Sequence, residues 1–142
     1  MIRNRSMPPG VFIPELAYRD VLEAAAWLCR VFGFHERLRI GDHRVQIMYG
    51  GASMVVIERP SESPVDVTTH ATMVHVPDVD SHHAHALACA AKIIVAPTDH
   101  PYGERQYAVE DIGGHRWVFS QSIADVDPIQ WGGTLFSEQE IV

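Results

Sequence analysis

An internal repeat is the feature of this sequence that most constrains its fold. Each half places an apolar strand before a helix that starts at an aspartate, which is Asp20 in the first half and Asp78 or Asp80 in the second, and three strand-like segments after it. Glu58 and Val118 close the last strand of each half at nearly the same separation as the two aspartates. Equivalent landmarks at nearly constant spacing indicate a duplicated β-α-β-β-β unit. Because each half is too small to bury much core alone, we expect the two to associate.

The repeat also divides the chain into segments. Apolar residues at helical spacing predict helices at about 20–32 and 79–91, and Pro and Ser residues predict a loop between the halves. The resulting division is a leader at 1–10, one domain at 11–123 that contains module one (11–58), a linker (59–69) and module two (70–123), and a tail at 124–142.

Composition and charge limit the function classes. A chain of 142 residues with 46% hydrophobic residues is typical of one globular domain. A formal charge of −7 argues against a nucleic-acid partner, which needs clustered Lys and Arg. No apolar run approaches the roughly 18 residues that span a bilayer, and no secretory signal is visible. We therefore expect a cytoplasmic protein with no membrane partner and with its two cysteines, Cys29 and Cys89, reduced and buried.

A hairpin is predicted between Pro101 and Phe119. Segments 106–110 and 116–120 alternate polar and apolar residues, and Asp-Ile-Gly-Gly at 111–114 suits a tight turn. This hairpin resembles the closing hairpin of the second module in the glyoxalase/bleomycin resistance protein/dioxygenase superfamily, also called vicinal oxygen chelate proteins. The resemblance covers residues 11–123. It implies an α+β fold in which two paired βαβββ modules form curved mixed sheets around an open cavity.

The same resemblance implies four metal-binding positions. Metal-dependent members hold their ion with one ligand early in the first strand of each module and one carboxylate late in the fourth, which here correspond to Ile13, Ala71, Glu58 and Val118. Hydrocarbon side chains cannot ligate a divalent ion, which needs three or more protein ligands. The sequence therefore predicts that the metal is lost and that no cofactor is required, unless the ligands have shifted by two positions, for example to Glu15 and His75.

Strand alternation predicts which side chains face the cavity. In the fourth strand, Val55 and Ile57 are expected to pack under the helix, which leaves Met54, Val56 and Glu58 facing inward. Extended to the other strands and the hairpin rim, this reasoning gives a set of candidate ligand-binding residues: Glu15, Glu58, Met73, His75, Tyr102, Arg105, Tyr107 and Arg116.

The acidic members of this set have two interpretations. Because buried ionisable groups are costly unless paired or used, Glu15, Glu58 and His75 are candidates to recognise a cationic or hydrogen-bonding ligand. Alternatively, Glu58 forms a structural ion pair with Arg116 or Arg105. No catalytic residue is assigned.

Two histidines of the predicted second helix, His82 and His85, share a face that we expect to be exposed to solvent. His115 follows the tight turn of the hairpin, where a turn-closing hydrogen bond is the simpler interpretation than catalysis.

Two main functions remain. The leading hypothesis is a protein that binds or sequesters a flat, partly aromatic or cationic small molecule in the cavity without chemistry, as the antibiotic-resistance branch of the superfamily does. The alternative is a metal-dependent lyase, isomerase or ring-cleaving dioxygenase with relocated ligands; a regulatory module without free-standing activity is a third possibility. A homodimer is expected in each case, since superfamily members usually close their open sheets by dimerising.

Overall fold

The computed structural model of the chain describes residues 2–60 and 70–135. Most of the predicted linker 59–69 and the last part of the predicted tail therefore lie outside the described residues.

Two modules follow each other along the chain. Module one contains β1 (Glu15–Tyr18), α1 (Val21–Phe32), β2 (His35–Ile40), β3 (Arg44–Tyr49) and β4 (Ala52–Glu58). Module two contains β5 (Thr72–His75), α2 (Val79–Ala88), β6 (Lys92–Asp99), β7 (Glu104–Glu110) and β8 (Arg116–Ser122), followed by a short 3₁₀ turn (Pro128–Trp131).

Each module forms a four-stranded mixed sheet with the same topology. The strand orders are β1-β4-β3-β2 and β5-β8-β7-β6. The first strand of each module pairs in parallel with the last one, and the other pairs are antiparallel. The predicted α+β fold of two βαβββ modules is confirmed.

Both helices begin where the sequence indicates. An Oδ1 atom caps each one, since Asp20 accepts from the Glu23 amide at 3.0 Å and Asp78 accepts from the Ser81 amide at 3.1 Å. Helix α1 ends at Gly33, whose φ of 81° is a left-handed conformation that favours glycine. None of the helices in the described ranges is long and apolar enough to cross a membrane.

One core joins the two modules. Phe32, at the end of α1, packs its ring edge-on against Trp117 and Phe119 of β8, with ring centroids 5.4 and 4.8 Å apart. The two helices also contact each other. Each sheet therefore has a helix-covered face, which contributes to this shared core, and an opposite face, here called the open face.

The side chains of β4 face the opposite way from the prediction, as if the strand were shifted by one residue. Leu16 and Tyr18 pack in the core, and parallel pairing places Val56 beside Leu16 and Glu58 beside Tyr18. Met54 and Val56 therefore belong to the core, whereas Val55 lies beside Glu15 on the open face. The prediction that Val55 packs under the helix and that Val56 and Glu58 face the cavity was wrong.

Candidate functional site

A cavity of about 490 Å³ lies between the turn that joins β3 to β4 and the outer strand β5. Most of its wall is apolar, and its larger side chains are Phe12, Phe34, Met48, Tyr49, Met54 and Met73. His75 lines the same cavity. A volume of this size, with few polar groups, is typical of a small-molecule site.

A chain of hydrogen bonds lies next to the cavity on the open face of module two. The His75 Nε2 atom is 3.4 Å from Oε1 of Glu104, which also accepts from the Ser120 hydroxyl at 2.7 Å. Ser120 in turn accepts from Gln106 Nε2 at 3.1 Å, and Tyr102 donates to Gln106 Oε1 at 3.2 Å. The buried members of this network fix its geometry, because Ser120 and Gln106 are almost fully enclosed.

Glu104 is held ionised within this network. Burial alone raises its pKa, but hydrogen bonds from Ser122 and Ser120 and the neighbouring His75 outweigh burial and lower the pKa below its ordinary value. The Glu104 side chain is only 16% exposed, whereas the His75 side chain is 72% exposed. A negative charge therefore lies behind an accessible imidazole at the rim of an apolar cavity.

Three of the predicted ligand-binding residues come together here. Met73 and His75 line the cavity, and Tyr102 belongs to the adjoining network. Glu15 lies on the open face of module one, where it pairs with Arg44 at 3.2 Å on the exposed surface. Glu15 is therefore separate from the His75 network.

The structure corrects the placement of Arg105 and Tyr107. Alternation along β7 directs both toward the helix-covered face rather than the cavity. Arg105 pairs with Asp99 at 2.7 Å and with Asp80 of α2 at 3.0 Å. Tyr107 is buried in the core.

The remaining two candidates, Arg116 and Glu58, do not meet. Arg116 is partly buried at the start of β8, opposite Glu110 of β7. Glu58 is exposed at the end of β4. The alternative of an ion pair between Glu58 and Arg105 or Arg116 is not found in the described part of the chain, where Arg105 pairs with Asp99 and Asp80.

Sequence reasoning did not assign Glu104 or Gln106 to the cavity, and it left Ser120 out of the candidate ligand-binding residues. Alternation along β7 carries the signal, since Glu104, Gln106 and Ala108 share one face and Arg105, Tyr107 and Val109 share the other. A period of two along β7 therefore indicates that Glu104 and Gln106 face away from the helix-covered core.

The residues at the superfamily metal positions do not fit a divalent ion. Val118 lies on the open face opposite Met73, and the position in module one with the equivalent pairing is Val55, opposite Glu15. Ile13 and Ala71, before β1 and β5, likewise carry no donor atom. Within residues 2–60 and 70–135, no group of three or more His, Cys, Asp or Glu side chains is arranged to hold a metal ion.

His82 links the two modules instead of facing solvent, so the expectation for this residue was wrong. Its Nε2 atom is 3.0 Å from the Phe32 carbonyl oxygen, which only accepts, so Nε2 carries the proton. Its Nδ1 atom then accepts from the Tyr107 hydroxyl at 2.5 Å.

Two further histidines contact main-chain carbonyls of module one. The His85 Nε2 atom lies 3.0 Å from the Arg30 carbonyl oxygen. His115 also joins the modules, since it donates from Nε2 to the Ala17 carbonyl at 2.8 Å rather than only closing its turn.

This bridge predicts a loss of stability in mild acid. Burial and the nearby His85 lower the pKa of His82 below its ordinary value of 6.5, despite the hydrogen bond to Phe32. The unfolded chain therefore binds a proton more readily, and the free energy of unfolding should fall as the pH decreases below 6.5 toward the lower folded pKa. Urea titrations between pH 7.5 and pH 5 should show a smaller decrease for His82→Gln than for the wild type. The control variant His35→Gln, changed at an exposed position, should show the same decrease in the free energy of unfolding as the wild type. Equal decreases in all three proteins would refute the assignment of the acid effect to His82.

Comparison with known proteins places this architecture in a family. The profile of the glyoxalase/bleomycin resistance protein/dioxygenase superfamily matches residues 12–119. The chain belongs to this superfamily. The crystal structure of TioX from Micromonospora sp. ML1 is similar to this chain. The two sequences are 34% identical, and the structures align with a TM-score of 0.67 over 83% of this chain and 100% of TioX.

More distant superfamily structures share the fold. The fosfomycin resistance protein FosX from Listeria monocytogenes, in complex with Mn(II) and a dihydroxypropylphosphonic acid, aligns with a TM-score of 0.65 at 16% identity over 80% of this chain and 90% of FosX.

The uncharacterized protein Rv0887c of Mycobacterium tuberculosis is 33% identical over 99 residues, which are 66% of this chain. The match spans only 55% of that relative's length.

Proposed function

We propose that this superfamily member binds a small, flat and largely apolar molecule in the cavity beside β5, and that it does so without a metal ion. The apolar wall accommodates the body of the ligand, and His75 with Glu104 binds a hydrogen-bonding or cationic group at its edge. In this proposal the protein would sequester an antibiotic-like compound by binding it in the cavity.

One observation carries the proposal: an apolar cavity of about 490 Å³ opens at His75, which is backed by the ionised Glu104. Apolar contact supplies most of the binding free energy in such sites, and a few fixed polar groups orient the ligand. A carboxylate kept charged in a half-enclosed position attracts a cation more strongly than one in bulk water. His75, which contacts this carboxylate, is the side chain most able to meet the ligand.

The donor set supports binding without a metal. A carboxylate and one imidazole replace too little of the hydration shell of a divalent ion, and Val55 and Val118 occupy the open-face positions that could have completed the set. We therefore assign no catalytic step to the site.

A flat aromatic cation tests the role of Glu104. Proflavine should bind to the wild type, and Glu104→Gln should weaken binding about tenfold, because the variant keeps the shape of the side chain but removes the charge near the ligand. Fluorescence titration measures the dissociation constant. Glu110→Gln is the matched control, since Glu110 lies on the same face of β7 and pairs with Lys92 at the other end of the strand. Equal weakening by the two variants, or no binding by the wild type, would contradict the proposal.

We also propose that the chain forms a homodimer through the region beside the cavity. Val11 and Phe12 are 97% and 90% exposed, and the nearby Met73 is 59% exposed on the outer strand β5. Exposed apolar side chains beside an unpaired strand edge are typical of an interface, and a stable one buries more than about 1,000 Å².

Light scattering at tens of micromolar tests this assembly. The wild type should give twice the 15.9 kDa mass of one chain, and Phe12→Asp should shift the protein toward the monomer, since it places a charge in the interface. Ile129→Asp, at a position that is 77% exposed in the 3₁₀ turn, should remain dimeric. A monomeric wild type would refute the dimer without affecting the cavity proposal.

A further inference from the structure

A second pocket, of about 250 Å³, lies at the edge of the molecule where β1 and β4 end, and it shares no lining residue with the cavity beside β5. The Arg59 amide donates to the Tyr18 carbonyl at 2.9 Å, which continues the parallel pairing of the two strands by one step. Arg19 and Arg59, which directly follow the two strands, both line this pocket.

Module two supplies part of the same wall. The β7–β8 turn contributes Ile112 and Gly113. Gly113 lies so close to the Tyr18 ring that an added Cβ atom would clash with it. Ile112 and Ala24 of α1 give the pocket an apolar part beside its arginines. The pocket therefore bridges the two modules.

The two guanidinium groups are not neutralised by protein carboxylates. Within residues 2–60 and 70–135, no ion pair joins Arg19 or Arg59 to an acidic side chain. Arg59 is partly buried, and its Nε atom is enclosed without a hydrogen-bond partner among the described residues. A buried donor without an acceptor is unfavourable. An anion in the pocket would supply that acceptor after a small rotation of the Arg59 side chain.

Two acidic side chains, Asp20 and Glu23, line the pocket as well. Asp20 already serves the fold, because its Oδ1 atom caps α1. Glu23 is exposed in the first turn of α1 and has no ion-pair partner in the described part of the chain. The positive and negative groups that line the pocket balance, which disfavours a highly charged anion and favours a neutral molecule with one charge of each sign.

We propose that this pocket is a second binding site and that it takes a free α-amino acid with an apolar side chain. The carboxylate of the amino acid pairs with Arg59 and Arg19, since a planar guanidinium group matches a carboxylate with two parallel hydrogen bonds. The ammonium group pairs with Glu23, and the apolar side chain contacts Ile112 and Ala24. About 250 Å³ accommodates a molecule of this size, whereas drug-sized ligands occupy larger pockets.

Isothermal titration of the full chain with L-leucine tests the site. L-Leucine should bind with a dissociation constant below about 1 mM. Isocaproate, which is leucine without its ammonium group, and isoamylamine, which is leucine without its carboxylate, should each bind at least about tenfold more weakly. Absence of L-leucine binding, or tighter binding of inorganic phosphate or isocaproate than of L-leucine, would overturn the proposal.

Three variants assign the binding to this pocket. Arg59→Gln should weaken L-leucine binding at least about tenfold, because it removes the charge that meets the carboxylate. Glu23→Gln, at an exposed position that does not endanger folding, should remove the preference for L-leucine over isocaproate. Arg30→Gln, exposed in the last turn of the same helix, should leave the affinity within about twofold. An unchanged preference in Glu23→Gln, or equal effects of Arg59→Gln and Arg30→Gln, would show that the amino acid does not bind here.

Discussion

Replacing Asp111 by alanine is expected to lower the free energy of unfolding by about 3–5 kcal/mol, the largest stability loss of any single change considered for this chain. Asp111 is 5% exposed, and its carboxylate accepts four hydrogen bonds from described residues. Its Oδ2 atom accepts from the Tyr18 hydroxyl at 2.5 Å and from Trp117 Nε1 at 2.9 Å. Its Oδ1 atom accepts from the amides of Gly113 and His115, both at 2.9 Å.

The expected loss is large because one side chain joins three parts of the fold. Asp111 shapes the β7–β8 turn, fixes the buried Trp117 indole and connects module two to β1 of module one through Tyr18. Without the carboxylate, buried donors on both modules lose their acceptor, and each unpaired group costs about 1–3 kcal/mol. Burial and the Asp111 charge both raise the pKa of Tyr18, so its hydroxyl remains a proton donor across the accessible pH range.

Urea denaturation at pH 7, followed by tryptophan fluorescence, measures this loss. Tyr18→Phe, which removes one of the four donors, should cost less than Asp111→Ala, and Asp125→Ala at an exposed position should cost less than about 0.5 kcal/mol. A loss below about 1 kcal/mol for Asp111→Ala would show that the carboxylate does not hold the modules together.

Local signals predicted most of the fold correctly. The helix caps follow from short-range hydrogen bonding, and the placement of Met73 and His75 on one face of β5 follows from alternation of side chains. These features depend on residues a few positions apart in the chain, which is why the sequence alone was sufficient to predict them.

The β4 error has a physical cause. Residues 54–57 are all apolar, so the period of two that assigns a face is absent. Pairing with β1 decides the register, since Leu16 lies beside Val56 and brings it into the core. A strand that is apolar on both faces cannot be oriented without knowledge of its partner.

Long-range contacts explain the other differences. His82 was expected on the exposed face of α2, but its imidazole contacts the Tyr107 hydroxyl of its own module and the Phe32 carbonyl of module one. The turn at 111–114 was recognised from its residues, whereas the role of Asp111 depends on Tyr18, which is distant in sequence. Gly113 shows the same dependence, since a Cβ atom there would lie 2.4 Å from Cδ2 of the Tyr18 ring.

The candidate site was predicted in part for similar reasons. Alternation identified Met73 and His75, because β5 has a clear inside and outside. It was not applied to β7, so Glu104 and Gln106 were missed and Tyr107 was assigned to the wrong face. The cavity beside β5 is built from the β3–β4 turn and a strand of the other module, and sequence patterning does not report such a juxtaposition.

Met73→Glu is expected to weaken binding of Nile red, a flat neutral dye, by at least about tenfold. The substitution replaces an apolar wall of the cavity with a charge close to His75 and Glu104, and the dye cannot compensate for the desolvation of that charge. Leu87→Glu is the matched control, because Leu87 is 57% exposed on α2 and Met73 is 59% exposed. Equal affinities of the two variants would place the dye outside the cavity.

The central claim is that this superfamily member binds its ligand in the cavity without a metal ion. The most direct measurement is a Nile red titration of protein purified without a histidine tag, before and after removal of divalent ions by a chelator. Because Val55 and Val118 supply no donor atom at the open-face positions where a metal would need one, the dissociation constant should be the same in both samples. Loss of binding in the chelated sample, with recovery on addition of nickel, zinc, manganese or iron, would contradict the account and favour a metal centre built on relocated ligands.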